Sequence, residues 1–156
     1  MKQYEQSFEE KEIRELIINL KEGHPLQKVL TCEKINLPTG IAFKAGKLFK
    51  KTNNSNDKNS LNTNQLRKYF EQINNVKGLE INQAKKELYK VLPQIAYAAG
   101  RGVCPPLFYQ LMEACITPQT LVDEKDIDTL IDFLTAIVAY TKYNSNWEGE
   151  YYENYK

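Results

Sequence analysis

The sequence predicts an all-α protein, a compact bundle of six or seven helices. Apolar residues recur three and four positions apart through most of the chain, and no segment sustains the alternation typical of a strand. The 156 residues include only 7 glycines and 6 prolines, which favours long regular elements. The length, with 42% hydrophobic and 26% charged residues, is that of an ordinary globular domain. We therefore predict one helical-bundle domain over residues 1–143.

The first helices are defined by caps and breaks. The capping-box pattern Ser7-Phe8-Glu9-Glu10 opens the first helix, and Gly23 closes it. Pro25 is expected to open a second helix that runs to about Ile35. After the break at 38–40, a third short helix is predicted from about residue 41 to 51. The predicted inward residues are Ile13, Leu16, Ile17, Leu20, Leu26, Val29 and Leu30.

An asparagine-rich stretch interrupts the helices at residues 52–62. It contains five asparagines and one apolar residue, so it cannot bury enough surface to offset its ordering entropy. We predict a flexible loop over residues 52–61, unless a partner orders it.

Four further helices follow this loop. One begins at about Asn62 and ends at Gly78, and the next spans about 82–99, where Pro93 should kink or divide it. Pro105 and Pro106 open another helix. A long last helix begins at Asp123, and its wide apolar surface places it at the centre of the bundle. Residues 144–156 form an acidic, aromatic tail.

The sequence carries few groups suited to catalysis or metal binding. The three cysteines form no CxxC pair, and the single histidine, His24, is distant from all of them in sequence. No P-loop, GxGxxG or HExxH motif is present. We predict a protein that is not an enzyme and has no catalytic residues, metal or cofactor. An enzyme built on Tyr97, Arg101 and distant carboxylates is the open alternative.

The chain also lacks membrane and secretion signals. Its longest strongly apolar run, 133–140, is far too short to cross a bilayer, and its N-terminus has no signal-peptide hydrophobic region. We predict a cytoplasmic protein without membrane contact. The net charge of +1 means that any nucleic-acid site must come from local clustering of cations.

One cluster of cations lies before the asparagine-rich loop. Between residues 34 and 56 there is no acidic residue, and Lys44, Lys47, Lys50 and Lys51 fall in this stretch. On a helix Lys44, Lys47 and Lys51 share one face. Without acidic neighbours these cations repel each other, and an anionic partner would relieve the repulsion. A solvated basic face is the other interpretation.

Other candidate cations lie at helix ends. Arg67 and Lys68 are expected in the first turn of their helix, where cations oppose the macrodipole. Arg101 follows the predicted C-cap glycine Gly100 and precedes a second glycine, so a large partner could approach it closely. Lys142 lies near two tyrosines at the end of the last helix.

Three segments, in order, carry a resemblance to a known family. They are TNQLRKYF at 63–70, LPQIAYAAGR at 92–101 and FLTAIVAY at 133–140. Together they resemble the small subunit of the type III-A CRISPR effector, the Csm complex. The resemblance covers roughly residues 61–143, and the ending Tyr-Ala-Ala-Gly-Arg is its most specific part.

This resemblance implies a non-catalytic, all-helical RNA-binding subunit. Copies would stack beside the larger backbone subunits and the large subunit, along the channel that holds guide and target RNA. Arg67, Lys68 and Arg101 are the matched basic positions, whereas the lysines at 44, 47, 50, 51 and 142 depend on the charge argument alone. A helical protein-interaction adaptor without nucleic-acid contact is the alternative function.

Overall fold

A computed structural model describes the backbone of residues 6–50 and 58–154, with side chains through residue 145. The described residues form eight α-helices and no strand, which confirms the all-α class. The helices are α1 (Phe8–Leu20), α2 (Leu26–Val29), α3 (Cys32–Asn36), α4 (Ile41–Phe49), α5 (Thr63–Asn74), α6 (Ile81–Gly100), α7 (Pro106–Cys115) and α8 (Glu124–Asn154).

The predicted second helix is divided into α2 and α3. Leu30 is in an extended conformation after α2, and the Thr31 hydroxyl accepts a hydrogen bond from the amide of Lys34 to cap α3. No glycine or proline marks this division, so the sequence pattern predicted a single helix where the structure has two short ones. The division raises the number of helices among the described residues to eight.

Helix α6 runs through Pro93 without being divided, and its end differs from the predicted one. Arg101 is the C-cap residue, and Gly102 adopts the left-handed conformation with φ of 77°. The amide of Gly102 donates to the carbonyl of Ala99, and the amide of Val103 donates to that of Ala98. This pair of bonds is the Schellman arrangement, so Gly102 rather than Gly100 terminates the helix.

Helix α8 begins with a reciprocal cap. Asp123 accepts from the amide of Asp126, while the Asp126 carboxylate reaches back to accept from the amide of Asp123. Fully buried Asp126 also accepts from the amides of Val122 and Gln27, which ties the start of α8 to α2. The backbone then stays helical to residue 154, past the predicted tail boundary at 143. As predicted, α8 is central, since it packs against α2, α3, α4 and α5.

Aromatic side chains fill the core where α4, α5 and α7 meet. The rings of Phe49 and Phe108 pack edge to face with centroids 5.6 Å apart, and Tyr69 stacks on Phe108 at 6.3 Å. All three side chains are fully buried. This core fixes the start of α5, which is one side of the candidate site.

Part of the asparagine-rich segment lies within the described residues. The Leu61 side chain is fully buried and its amide donates to the carbonyl of Phe49. Asn59 is buried and donates from Nδ2 to buried Glu10 at 3.1 Å. Residues 58–61 are therefore anchored to α1 and α4. The predicted flexibility at 52–57 lies outside the described residues.

Candidate nucleic-acid interface

The predicted cations lie in several parts of the fold. Lys44 and Lys47 belong to α4, and Lys50 is the C-cap residue that follows it. Arg67 and Lys68 belong to α5, Arg101 caps the end of α6, and Lys142 belongs to α8. Lys51 lies outside the described residues. Which cations of different helices lie close together is not predictable from their local sequence.

The lysines of α4 have acidic neighbours supplied by α1. Lys44 Nζ lies 3.5 Å from Glu12 Oε2, and Lys47 Nζ lies 3.5 Å from Glu9 Oε1. The prediction that these lysines lack acidic neighbours is therefore wrong, because Glu9 and Glu12 are distant in sequence but close in space. Such partly exposed pairs are worth only about 0–1 kcal/mol, so a phosphate could compete for either lysine.

Arg67 and Lys68 are exposed but lie one turn later than predicted. Helix α5 begins at Thr63 and is capped by Asn62, whose side chain accepts from the amide of Asn64 at 2.8 Å. The two cations are therefore in the second turn, where the macrodipole opposes them less than it would in the predicted first turn. Among the described residues, none forms an ion pair with either side chain.

Lys68 and Arg101 come together in a groove between α5 and the C-terminal end of α6. The groove has a volume of about 380 Å³. Both cations are exposed, and no described carboxylate pairs with them. The groove thus presents two unneutralised cations to solvent. Its lining residues are Gln65, Lys68, Tyr69, Pro93, Gln94, Tyr97, Ala98, Arg101 and Val103.

The groove also contains an aromatic side chain, Tyr97, that is not among the predicted RNA-binding residues. Tyr97 is 68% exposed, and the Arg101 guanidinium carbon lies 5.7 Å from the centroid of its ring. The helical pattern indicates this exposure, since buried Ile95, two residues earlier, lies on roughly the opposite side of α6. An exposed cation–π pair is worth roughly 0.5–1 kcal/mol, which helps to hold the guanidinium at the groove.

The remaining predicted cations lie outside this groove. Arg67 is on a different side of α5, and Lys50 is the half-buried C-cap residue of α4. Lys142 is exposed on α8. The ring of Tyr140 packs edge to face on Phe43 with centroids 5.0 Å apart, so it belongs to the α4–α8 contact.

The described residues include three cysteines, of which two are buried. Burial raises the pKa of the Cys104 and Cys115 thiols to about 12, which makes both poor nucleophiles. Cys32, in contrast, is exposed. Across the described part of the chain, no three His, Cys, Asp or Glu side chains could jointly hold a metal ion. None of the helices examined there is long and apolar enough to span a membrane.

Comparison with known proteins gives one match. A family model described as Csm2 Type III-A matches residues 42–146, which is about two thirds of the chain. The matched region runs from α4 into α8 and contains every predicted cation and the α5–α6 groove. No curated protein and no solved structure matches the chain.

Proposed function

The chain belongs to the Csm2 family of type III-A CRISPR small subunits, and from this premise we propose that it binds the RNA backbone inside the effector complex. The family is that of a structural small subunit of the Csm complex. In the proposed role, the chain lines the channel that holds guide and target RNA and performs no bond-making step. Sequence specificity is left to base pairing between guide and target.

The observation that best supports this proposal is that Lys68 and Arg101 line the same groove. Neither cation has a carboxylate partner among the described side chains, so neither must lose an ion pair before it binds a phosphate. The Arg101 guanidinium offers a planar fork that matches two phosphate oxygens, and Lys68 adds a point charge. Contacts of this kind release counterions and favour every RNA sequence alike.

The other predicted cations extend this surface in the proposal. Arg67, Lys50, Lys51 and Lys142 would add backbone contacts beyond the groove. Lys44 and Lys47 would bind RNA only by exchanging their α1 carboxylates for phosphates. The proposed partners are guide and target RNA, the large subunit, the backbone subunits and neighbouring copies of the chain, in the cytoplasm. Residues 1–143 would act as one domain and 144–156 as its acidic, aromatic tail, which continues α8 to residue 154.

The salt dependence of RNA binding tests this proposal. In the assembled complex, Lys68→Gln and Arg101→Gln should each lower the slope of log affinity against log salt by roughly 0.7–0.9. Lys86→Gln is the matched control, because Lys86 is exposed on α6 but outside the groove. If both groove variants keep the slope and affinity of the control, the groove does not bind the RNA backbone.

A protein-interaction adaptor is the second candidate function. The pairing of Lys44 and Lys47 with carboxylates of α1 favours it, because these lysines already have a structural use. An adaptor would keep its partner proteins after nuclease treatment and would give no cross-link to RNA. Ultraviolet cross-linking of the native complex, followed by peptide identification, distinguishes the two functions.

A further inference from the structure

The exposure of Tyr97 has no explanation in the packing of the fold. Its ring is 68% exposed, whereas Ile95 and Ala98 on the same helix are buried. No described residue forms a hydrogen bond with its hydroxyl. An aromatic side chain outside the core adds little to stability, so its presence in a groove with two cations suggests contact with a ligand.

The residues that line the groove with Tyr97 have partners of their own or a rigid side chain. The Gln94 amide accepts a hydrogen bond from Gln72 at 2.9 Å and donates to the carbonyl of Lys90 at 3.4 Å, so it is already engaged. Pro93 adds a rigid apolar ring nearby. Because these neighbours are satisfied, they fix the shape of the groove and do not compete for a ligand.

The combination of side chains matches the parts of a nucleotide. The Arg101 guanidinium lies over the Tyr97 ring, yet the side chain is still 68% exposed, so the ring offers a stacking surface for a base. Lys68 and Arg101 offer charge for the adjoining phosphates. We infer that Tyr97 is a stacking platform for an unpaired RNA base, so that the groove binds a nucleotide through its base as well as its backbone. This inference rests on the proposed function and deepens it.

Stacking on Tyr97 would distinguish unpaired bases from paired ones, but would not distinguish one base type from another. A base inside a helical duplex has both faces covered by its neighbours, so it cannot also stack on a protein ring. A base displaced from the duplex has a free face, and every base has a π-face. The groove should therefore prefer positions where RNA pairing is interrupted, without preferring a sequence.

Two substitutions and one photoprobe test the inference in the assembled complex. Tyr97→Leu keeps apolar bulk but removes the ring, and Tyr97→Phe is the matched control that keeps it. We expect Tyr97→Leu to weaken binding of target RNA by about 5-fold to about 150-fold and Tyr97→Phe to bind like the native chain. The salt slope should stay unchanged, because no charge is lost. Target RNA carrying 5-iodouridine at single positions should cross-link to the Tyr97 peptide.

The outcomes separate this inference from the proposed function. If Tyr97→Leu binds normally and no cross-link reaches Tyr97, while Lys68→Gln and Arg101→Gln still lower the salt slope, stacking is wrong and backbone binding stands. If all three variants bind normally, both are wrong. If Tyr97→Leu prevents assembly of the complex in the absence of RNA, the ring binds a partner protein and the inference is overturned.

Discussion

Replacement of Gly46 by alanine tests the close approach of α4 and α8. A Cβ atom at position 46 would lie 2.6 Å from the Cβ of Tyr140 and 2.7 Å from the backbone nitrogen of Thr141. Ordinary contacts begin near 3.4 Å. The obstacles are backbone or Cβ atoms, so a rotamer change cannot clear them. The two helices must instead move apart by several tenths of an ångström to about 1 Å.

Two opposing effects determine how Gly46→Ala changes the free energy of unfolding. Forcing extra volume into a packed contact costs about 1–3 kcal/mol, and here the upper part of that range applies because both helices are buried against the core. Alanine recovers about 1 kcal/mol through its better helix propensity. We therefore expect Gly46→Ala to lower the free energy of unfolding by about 1–2 kcal/mol. For a chain of this size that corresponds to a fall in Tm of roughly 2–8 °C.

The assay is urea unfolding of the isolated full-length chain, followed by circular dichroism. Gly100→Ala is the matched control, since Gly100 is also helical and a Cβ there would meet nothing within 4 Å. It should leave stability unchanged or raise it by up to about 1 kcal/mol. If Gly46→Ala is as stable as Gly100→Ala, the close approach of α4 and α8 is wrong.

Three further predictions concern the helix ends and the buried thiols. Gly102→Ala should lower stability by about 1–2 kcal/mol, because alanine resists the left-handed backbone that ends α6; a thermal melt equal to that of the native chain would contradict this. Asp126→Ala should cost about 2–4 kcal/mol in urea, because three backbone amides lose their acceptor; exposed Asp132→Ala is the control and should stay within about 0.5 kcal/mol. Burial raises the pKa of Cys115 to about 12, whereas the thiol has a pKa of about 8.5 in the unfolded chain. Its contribution to the stability of the folded state is therefore fully present below about pH 8.5 and is lost as the pH rises toward 12. Stability measured between pH 9 and 10.5 should therefore fall less steeply in Cys115→Ala than in the native chain, by up to about 1.4 kcal/mol per pH unit, and equal slopes would refute the assignment.

The helices and most of the core could be predicted from the sequence because their signals are local. The apolar spacing of Ile13, Leu16 and Leu20 predicts the buried face of α1 without reference to any other segment. The division at Leu30 was missed for the same reason, since no local breaker marks it. At Gly102 the two neighbouring glycines left the terminating residue ambiguous, and only the backbone conformation resolves it.

The candidate site was harder to predict because its parts are distant in sequence. Lys68 and Arg101 were each proposed on local grounds, but their meeting depends on how α5 packs against α6. Lys44 pairs with Glu12 on a different helix, so the local sequence, which shows no acidic residue near Lys44, could not predict this ion pair. The need for glycine at position 46 could not be predicted from the local sequence. It arises because Tyr140 and Thr141, almost a hundred residues later, pack directly against it.

Glu9 and Glu12 of α1 pair with Lys47 and Lys44 of α4, so the negative charge of α1 offsets the positive charge of α4. A change from glutamate to glutamine on α1 would unmask a positive charge on α4 as effectively as adding a new lysine. Attraction to polyanions could thus be tuned by acidic residues that themselves bind no phosphate. Homologues that differ only in their first helix could then differ in how strongly they retain any nucleic acid.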